Sequence, residues 1–226
     1  MRVIFNEELK AVADDLDHMV KGVRKAINGA GDALLNQNLE AAQAVIDGDI
    51  EIDALEASVV DQCVKLLAKQ NPVATDLRVV VSTMRLATTF ERMGDLARHI
   101  AEAARRTYPA SPLPPEAQPL FAEMQAFLND VADQTVAMLS DRDTKTAEQI
   151  IINDDKLDEL HKKTFELAQS EDWTGTNQQL IDVVLIGRFM ERLGDHAVSA
   201  ARRVVYIVSG FDPTKEPTRD EGTDIA

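Results

Sequence analysis

The sequence Phe90-Glu91-Arg92-Met93-Gly94-Asp95 occurs a second time, with small changes, as Met190-Glu191-Arg192-Leu193-Gly194-Asp195. Both copies share the core Glu-Arg-apolar-Gly-Asp and lie within helix-like sequence. A glycine inside a helix costs about 1 kcal/mol relative to alanine, so a glycine at the same place in both copies needs a structural or functional reason. In each copy the Glu and the Asp are four residues apart, which puts both carboxylates on one face of the helix.

The spacing of apolar residues predicts three long helices in the first half of the chain. The first helix has the stripe Phe5, Leu9, Val12, Leu16, Met19, Val23, Ala26 and Ala30. Steps of four and three residues of this kind are typical of helices in bundles. Asn38 is a suitable N-cap for the second helix, which we expect to end at Asn71. Pro72 then opens the third helix, because proline is tolerated in a first turn.

The second half repeats this pattern after a proline-rich segment. Residues 109–115 read Pro-Ala-Ser-Pro-Leu-Pro-Pro, which predicts a stiff linker or a domain boundary. One helix should follow from about Glu116 to Leu139. A second helix carries the apolar residues from Ile150 to Leu167, and Gly210 terminates the third.

Three helices, a linker and three more helices indicate an internal duplication. We therefore predict an all-α fold of two tandem, pseudo-symmetric, antiparallel three-helix bundles with six long helices. The bundles are residues 1–108 and 116–210, and the Pro-rich linker is 109–115. Residues 211–226 are polar and acidic, so we expect them to form a disordered tail.

Composition limits the classes of function. The net charge of −15 argues against nucleic-acid binding, because phosphate contacts need Lys and Arg. The single cysteine, Cys63, fits a reducing compartment and is expected to be a buried packing residue. The sequence lacks an apolar signal pattern at its start and a run of about 18 apolar residues. We predict a cytoplasmic protein with at most peripheral contact with a membrane.

A second set of acidic pairs lies on the middle helices. The middle helix of the first half carries Asp49 and Asp53, and that of the second half carries Asp154 and Asp158 at the matching positions. Each pair has the same four-residue spacing as the acids of the repeated motif. All of these acids lie about 100° around the helix from the apolar stripe, so they should flank the core.

Adjacent antiparallel helices would bring the four acids of each bundle together in a surface groove. The predicted clusters are Asp49, Asp53, Glu91 and Asp95 in the first bundle and Asp154, Asp158, Glu191 and Asp195 in the second, with Glu56 and His161 as additional candidate ligands. Converging carboxylates repel one another unless a cation lies between them. Oxygen-rich sites select hard cations, so Fe, Mn, Mg and Ca are the candidate metals.

The residues alone leave other interpretations open. Arg92 and Arg192 could supply the positive charge as salt-bridge partners across the bundle instead of a metal ion. Gly94 and Gly194 could admit either a neighbouring helix or an ion between the acids. Acidic pairs at this spacing are also common on solvated helix faces, which would make the chain a metal-free helical scaffold.

Catalytic patterns are weak in this sequence. We find no Gly-rich phosphate loop and no Ser-His-Asp arrangement, and Cys63 has no evident partner. A ferritin-like, carboxylate-bridged di-metal oxidase usually needs Glu-x-x-His on each of two helices, whereas only Asp158-x-x-His161 is comparable here. We predict that the chain is not an enzyme and keep this oxidase as the alternative.

Over about residues 5–210 the chain resembles the PhoU family. The resemblance is carried by Val45-Ile46-Asp47-Gly48-Asp49, by Ala68-Lys69-Gln70-Asn71-Pro72-Val73-Ala74-Thr75-Asp76-Leu77-Arg78, and by the two Glu-Arg-apolar-Gly-Asp motifs. The second half departs from the first-half pattern of the family at Ser170-Glu171-Asp172-Trp173. The acidic tail lies outside the resemblance.

The resemblance implies two pseudo-symmetric three-helix bundles, usually in a homodimer, without enzymatic turnover. It implies a negative regulator of phosphate uptake and phosphate-starvation signalling. Such a protein is an adaptor between a PstB-like transporter ATPase and a PhoR-like sensor histidine kinase. Some members of the family bind multinuclear iron or other metals at Glu/Asp-x-x-x-Asp motifs, which match the eight acids of the two clusters.

Overall fold

The structure, a computed structural model, describes the backbone of residues 2–211 and the side chains from residue 4 onward. This part of the chain forms seven α-helices: α1 (Arg2–Asn36), α2 (Leu39–Gln70), α3 (Ala74–Thr107), α4 (Gln118–Asp141), α5 (Thr144–Ile152), α6 (Asp154–Ala168) and α7 (Asn177–Ser209). The predicted all-α fold of helical bundles is confirmed. Among the described helices, none is long and apolar enough to cross a bilayer. Apart from Phe211, the expected tail lies outside the described residues.

Local chemistry sets the helix ends that the sequence predicted. The side-chain oxygen of Asn38 accepts a hydrogen bond from the amide of Ala41 at 3.0 Å, so Asn38 is the N-cap of α2. Gly210 ends α7 in the left-handed conformation, with φ of 76°, and its amide donates to the carbonyl of Tyr206. That conformation suits glycine because it has no Cβ to clash.

Two details differ from the predicted helices. Pro72 precedes α3 instead of opening it, because Asn71 turns the chain in a left-handed conformation and the helix begins at Ala74. The middle helix of the second half is interrupted at Asn153, which separates α5 from α6 and makes seven helices instead of six. The amide of Asn153 still donates to the carbonyl of Gln149, but the ψ of Asn153 is 6°, outside the helical range, so the helix breaks at this residue.

Helices α3 and α7 run antiparallel where the two bundles meet. Arg78 near the start of α3 donates to the carbonyl of Ile207 near the end of α7. Arg106 near the end of α3 forms an ion pair with Asp182 near the start of α7. The buried apolar residues of both bundles form one continuous core. The two repeats are therefore packed against each other along their motif helices.

Helices α1 and α4 make a second contact between the bundles, at Gly31. The buried side chain of Gln125 lies against this glycine, and its Nε2 donates to the carbonyl of Ile27 at 3.1 Å. Because Gly31 has no side chain, the two helices approach closely enough for this hydrogen bond. The glycine that weakens α1 locally thus serves a tertiary contact.

The proline-rich segment is held against the second bundle. Leu113 is only 2% exposed, and Gln179 at the start of α7 donates to the carbonyl of Ser111. The carboxylate of Glu116 accepts a hydrogen bond from the amide of Thr174 at 2.7 Å. These contacts tie the segment to the loop between α6 and α7.

Cys63 is a packing residue in the structure. It lies fully buried on α2, and burial raises the pKa of its thiol to about 11. Very little reactive thiolate is therefore present near neutral pH. This agrees with the role expected from the sequence.

Replacing Gly31 with alanine should lower the free energy of unfolding by about 2 kcal/mol, because the new Cβ would overlap Gln125 and displace it from Ile27. Alanine at Gly48, where nothing lies within 4 Å of an added Cβ, is the matched control. It should raise the free energy of unfolding by up to about 1 kcal/mol. Urea denaturation followed by circular dichroism measures both changes. A Gly31→Ala variant as stable as Gly48→Ala would contradict the tight α1–α4 contact.

Candidate functional site

The repeated glycines face the neighbouring middle helix. A Cβ added to Gly94 would lie 3.1 Å from Cδ1 of Ile52, and one added to Gly194 would lie 2.7 Å from Cδ2 of Leu157. Ile52 and Leu157 are buried and occupy matching positions in α2 and α6. Of the two interpretations left open by the sequence, the structure shows a neighbouring helix at these glycines. This close approach brings the flanking acids of the paired helices together.

The first cluster is centred on an arginine side chain. Arg98 on α3 donates from Nε to Oδ2 of Asp49 at 2.5 Å, from Nη2 to Oδ1 of Asp95 at 2.7 Å, and from Nη1 to Oε1 of Glu102 at 2.8 Å. The hydrogen bonds to Asp95, Glu102 and Asp49 raise the pKa of Arg98, although burial opposes them. A permanent positive charge therefore lies among three carboxylates and joins α2 to α3.

Asp49 is the buried member of this cluster. It is 7% exposed, and its Oδ1 has no hydrogen-bond partner among the described residues. Burial raises the pKa of Asp49, while the hydrogen bond and the charge of Arg98 oppose that rise. An isolated carboxylate at this depth would be costly. The ionised form of Asp49 therefore depends on Arg98.

The other acids of the first bundle lie beside this centre. Arg92 contacts acids of its own helix, at 3.4 Å from Glu91 and 3.2 Å from Asp95. Burial raises the pKa of Glu91, Arg92 lowers it, and the charges of Asp95, Asp53 and Glu56 raise it further. The four predicted acids and Glu56 are thus close enough to interact. Arg92 supplies part of the counter-charge, as the salt-bridge interpretation expected, but within α3.

Arg98 is the central residue that the sequence interpretation missed. Its signal was present in the pattern Asp95-x-x-Arg98-x-x-x-Glu102, because three- and four-residue spacings place these side chains on one helix face. The second copy of the motif has Val198 at the corresponding position. This break in the repeat distinguishes the two clusters.

The second cluster brings three carboxylates within the reach of one cation. Asp158 on α6 and Glu191 and Asp195 on α7 each offer an oxygen, and these oxygens lie within 4.8 Å of one another. Glu191 is only 8% exposed. Its Oε1 accepts a hydrogen bond from Arg188, and its Oε2 has no partner among the described residues. Burial, followed by the charge of Asp195, raises the pKa of Glu191.

Asp154 and His161 lie beside these three residues. Burial raises the pKa of Asp154, and the charges of Asp195 and Asp158 raise it further. Burial also lowers the pKa of His161, which favours the neutral imidazole at neutral pH. Its Nε2 is buried without a hydrogen-bond partner among the described residues. The structure thus brings the second-bundle candidates into one region, with three of them at ligand spacing.

The two clusters differ in chemistry although they occupy equivalent places. In the first, the guanidinium of Arg98 already satisfies oxygens from three acids. In the second, Arg188 contacts Glu191 from a side chain that is itself half exposed. The remaining oxygens suit a hard cation such as Mg, Mn, Ca or Fe. The second cluster is therefore the better candidate for a metal.

The family model described as "PhoU domain" matches two parts of this chain, residues 16–104 and residues 121–204. The chain belongs to the PhoU family. It is 36% identical over 216 residues to "Phosphate-specific transport system accessory protein PhoU homolog 1" of Mycobacterium tuberculosis, covering 96% of this chain and 98% of that protein. It is 31% identical to the Synechocystis protein described as a PhoU homolog of the same transport system, covering 92% of this chain and 93% of that protein.

The likeness to PhoU extends to three dimensions. The crystal structure of PhoU from Pseudomonas aeruginosa matches this chain with a TM-score of 0.86 and 27% sequence identity. The match covers 92% of this chain and 100% of the Pseudomonas aeruginosa chain. This PhoU-family chain therefore shares the arrangement of both repeats, not of one bundle alone.

Removing the charge of Asp154 should change stability in a pH-dependent way. The raised pKa of Asp154 means that the folded protein binds this proton more tightly than the unfolded chain does. Its ionised form therefore destabilises the fold above the raised pKa, and this effect disappears as the pH falls toward the ordinary carboxyl pKa. We expect Asp154→Asn to melt at a higher temperature than the wild type near about pH 7, with the difference shrinking toward about pH 4.

Scanning calorimetry across this range measures the difference in Tm. Asp172→Asn, at an exposed residue of the loop between α6 and α7, controls for the loss of one negative charge. A Tm difference for Asp154→Asn that is constant with pH, or that grows as the pH falls, would contradict the raised pKa.

Proposed function

We propose that this chain is an accessory protein of phosphate-specific transport and a negative regulator of phosphate uptake and phosphate-starvation signalling. The observation that carries the proposal is the likeness along 96% of the chain to a mycobacterial protein whose name describes that accessory role. The likeness includes both repeats, so the proposal concerns the chain as a unit. The proposed activity is binding and not enzymatic turnover.

The proposed partners are a PstB-like transporter ATPase and a PhoR-like sensor histidine kinase, with the chain acting as a homodimer. The family resemblance supports these partners. The net charge of −15 favours partner surfaces that are positively charged, because complementary potentials speed association and select partners. We place this adaptor in the cytoplasm, in contact with the membrane only through its partners.

Metal binding at the second cluster is a further part of the proposal. Asp158, Glu191 and Asp195 present oxygens within 4.8 Å of one another. The Oε2 of Glu191 is buried without a partner among the described residues, and such an unpaired oxygen is costly. One hard cation at this place would satisfy that oxygen and reduce the repulsion that raises the pKa of Glu191. The donor set thus fits a hard metal ion.

A cation at the second cluster would act on the packing of the helices. Asp158 belongs to α6, whereas Glu191 and Asp195 belong to α7. A shared ion would therefore join these helices on the flank of the bundle and fix the adjacent charged faces. We propose this structural role for the metal because the acids flank the core and Asp195 is exposed. This exposed position differs from that in a ferritin-like oxidase, in which the carboxylates that hold the metal project into the bundle core.

Manganese should stabilise the wild type through the second cluster. After treatment with a chelator, addition of MnCl₂ to about one hundred times its dissociation constant should raise the Tm by roughly 5 °C. The double variant Glu191→Gln, Asp195→Asn should lose this response. The variant Glu171→Gln, Asp172→Asn changes two exposed loop acids and should retain it. A wild type whose Tm does not respond to Mn²⁺ would indicate a metal-free scaffold.

Capture of partners from cells tests the regulatory role separately. The epitope-tagged chain, expressed from its own locus, should retain a transporter ATPase and a sensor histidine kinase, with the amounts differing between high and low phosphate. Quantitative mass spectrometry of the retained proteins measures this. Retention of neither partner in both conditions, from cells that contain both, would contradict the adaptor role.

A further inference from the structure

The first cluster has a built-in cation where the second has an aliphatic side chain. Arg98 follows the first motif at the position that Val198 occupies after the second. Val198 is buried and apolar, so its side chain supplies neither a charge nor a hydrogen bond. The two repeats thus differ at this position, and the positive charges near the second cluster come from Arg188 at Glu191 and from Arg202 near Asp154.

Arg98 uses the oxygens that a metal ion would need in the first cluster. Its three nitrogens contact one oxygen each of Asp49, Asp95 and Glu102, at 2.5 to 2.8 Å. A planar guanidinium is weakly hydrated and keeps its charge at all accessible pH values. A divalent cation entering this cluster would have to displace those hydrogen bonds and would meet the like charge of Arg98 at short range.

Without Arg98 the first cluster would contain a buried carboxylate with less counter-charge, as the second cluster does. Asp49 is 7% exposed and its Oδ1 has no partner among the described residues, as is the case for Oε2 of Glu191 in the second cluster. Both oxygens are buried carboxylate oxygens beside further acids. The first cluster therefore has carboxylates of the kind that a hard cation binds, but they contact Arg98 and do not form the close group of three oxygens found in the second cluster.

We propose that Arg98 occupies the first cluster in place of a metal ion and thereby excludes cations from it, so that the chain has one metal-capable cluster instead of two. Arg98 is in this sense the residue that decides which repeat can take a metal. The assignment of the second cluster rests on the proposed function, whereas the role of Arg98 in the first cluster rests on its own contacts.

The experiment isolates the first cluster by disabling the second. The parent is the full chain with Glu191→Gln and Asp195→Asn. Into this parent we would introduce Arg98→Met, which keeps a long apolar stem, or Arg98→Gln, which keeps a neutral hydrogen-bond donor. Arg98→Lys is the matched control, because it retains the positive charge. Each chelator-treated protein is equilibrated with MnCl₂, separated from free ion by gel filtration and measured by elemental analysis and thermal melting.

The parent and its Arg98→Lys form should retain no stoichiometric Mn²⁺. The Arg98→Met or Arg98→Gln form should gain about one equivalent and a Mn²⁺-dependent rise in Tm of roughly 5 °C at saturation. Binding of one equivalent by the parent would overturn the proposal. So would a folded Arg98→Gln form that binds none. If the wild type binds no Mn²⁺ but the Arg98→Gln form binds one equivalent, the second cluster is not a metal site. The same result would still support the proposal that Arg98 excludes cations from the first cluster.

Discussion

The close packing of Ile52 on Gly94, and of Leu157 on Gly194, is the constraint on which the rest of the structure depends. A side chain at either glycine would force the motif helix away from its middle helix. With glycine there, a buried aliphatic residue of the middle helix fits into the gap, and the gain in packing offsets the cost of glycine in a helix, about 1 kcal/mol. The repeated motif therefore allows the motif helix and the middle helix of each repeat to pack closely.

This approach of the helices has an electrostatic consequence. The acids flank the apolar stripes by about one residue, so helices that meet closely at the stripe must also bring their acids together. Burial and mutual repulsion then raise the pKa of Asp49, Glu91, Asp154 and Glu191. The first repeat offsets this with the three-way contacts of Arg98. In the second repeat, oxygens of Asp158, Glu191 and Asp195 lie within 4.8 Å of one another, which is why the metal is proposed there.

The motif helices also form the contact between the repeats. Helices α3 and α7 lie antiparallel across the shared core, so the helices that carry the acids are the ones that fix the two bundles relative to each other. A change in charge at either cluster therefore acts on a helix that is packed on both sides. For a PhoU-family protein proposed to dock partners, this arrangement places the charged faces on helices that pack both within their own bundle and against the other repeat.

The sequence by itself determined the all-α fold, the duplication, the N-cap at Asn38, the end of α7 at Gly210 and the register of the acids. These features follow from helical periodicity and from local hydrogen bonds, which act over three or four residues. Tertiary structure alone decided that Arg98 reaches Asp49 on α2 and that Gln125 fills the space beside Gly31. It also decided that Glu191 has a buried oxygen without a partner in the described part of the chain. Each of these depends on the distance and angle between helices far apart in sequence. Local sequence patterns do not encode that geometry. A long side chain such as Arg98 has several acids within its reach, and the packing of the helices decides which of them it contacts.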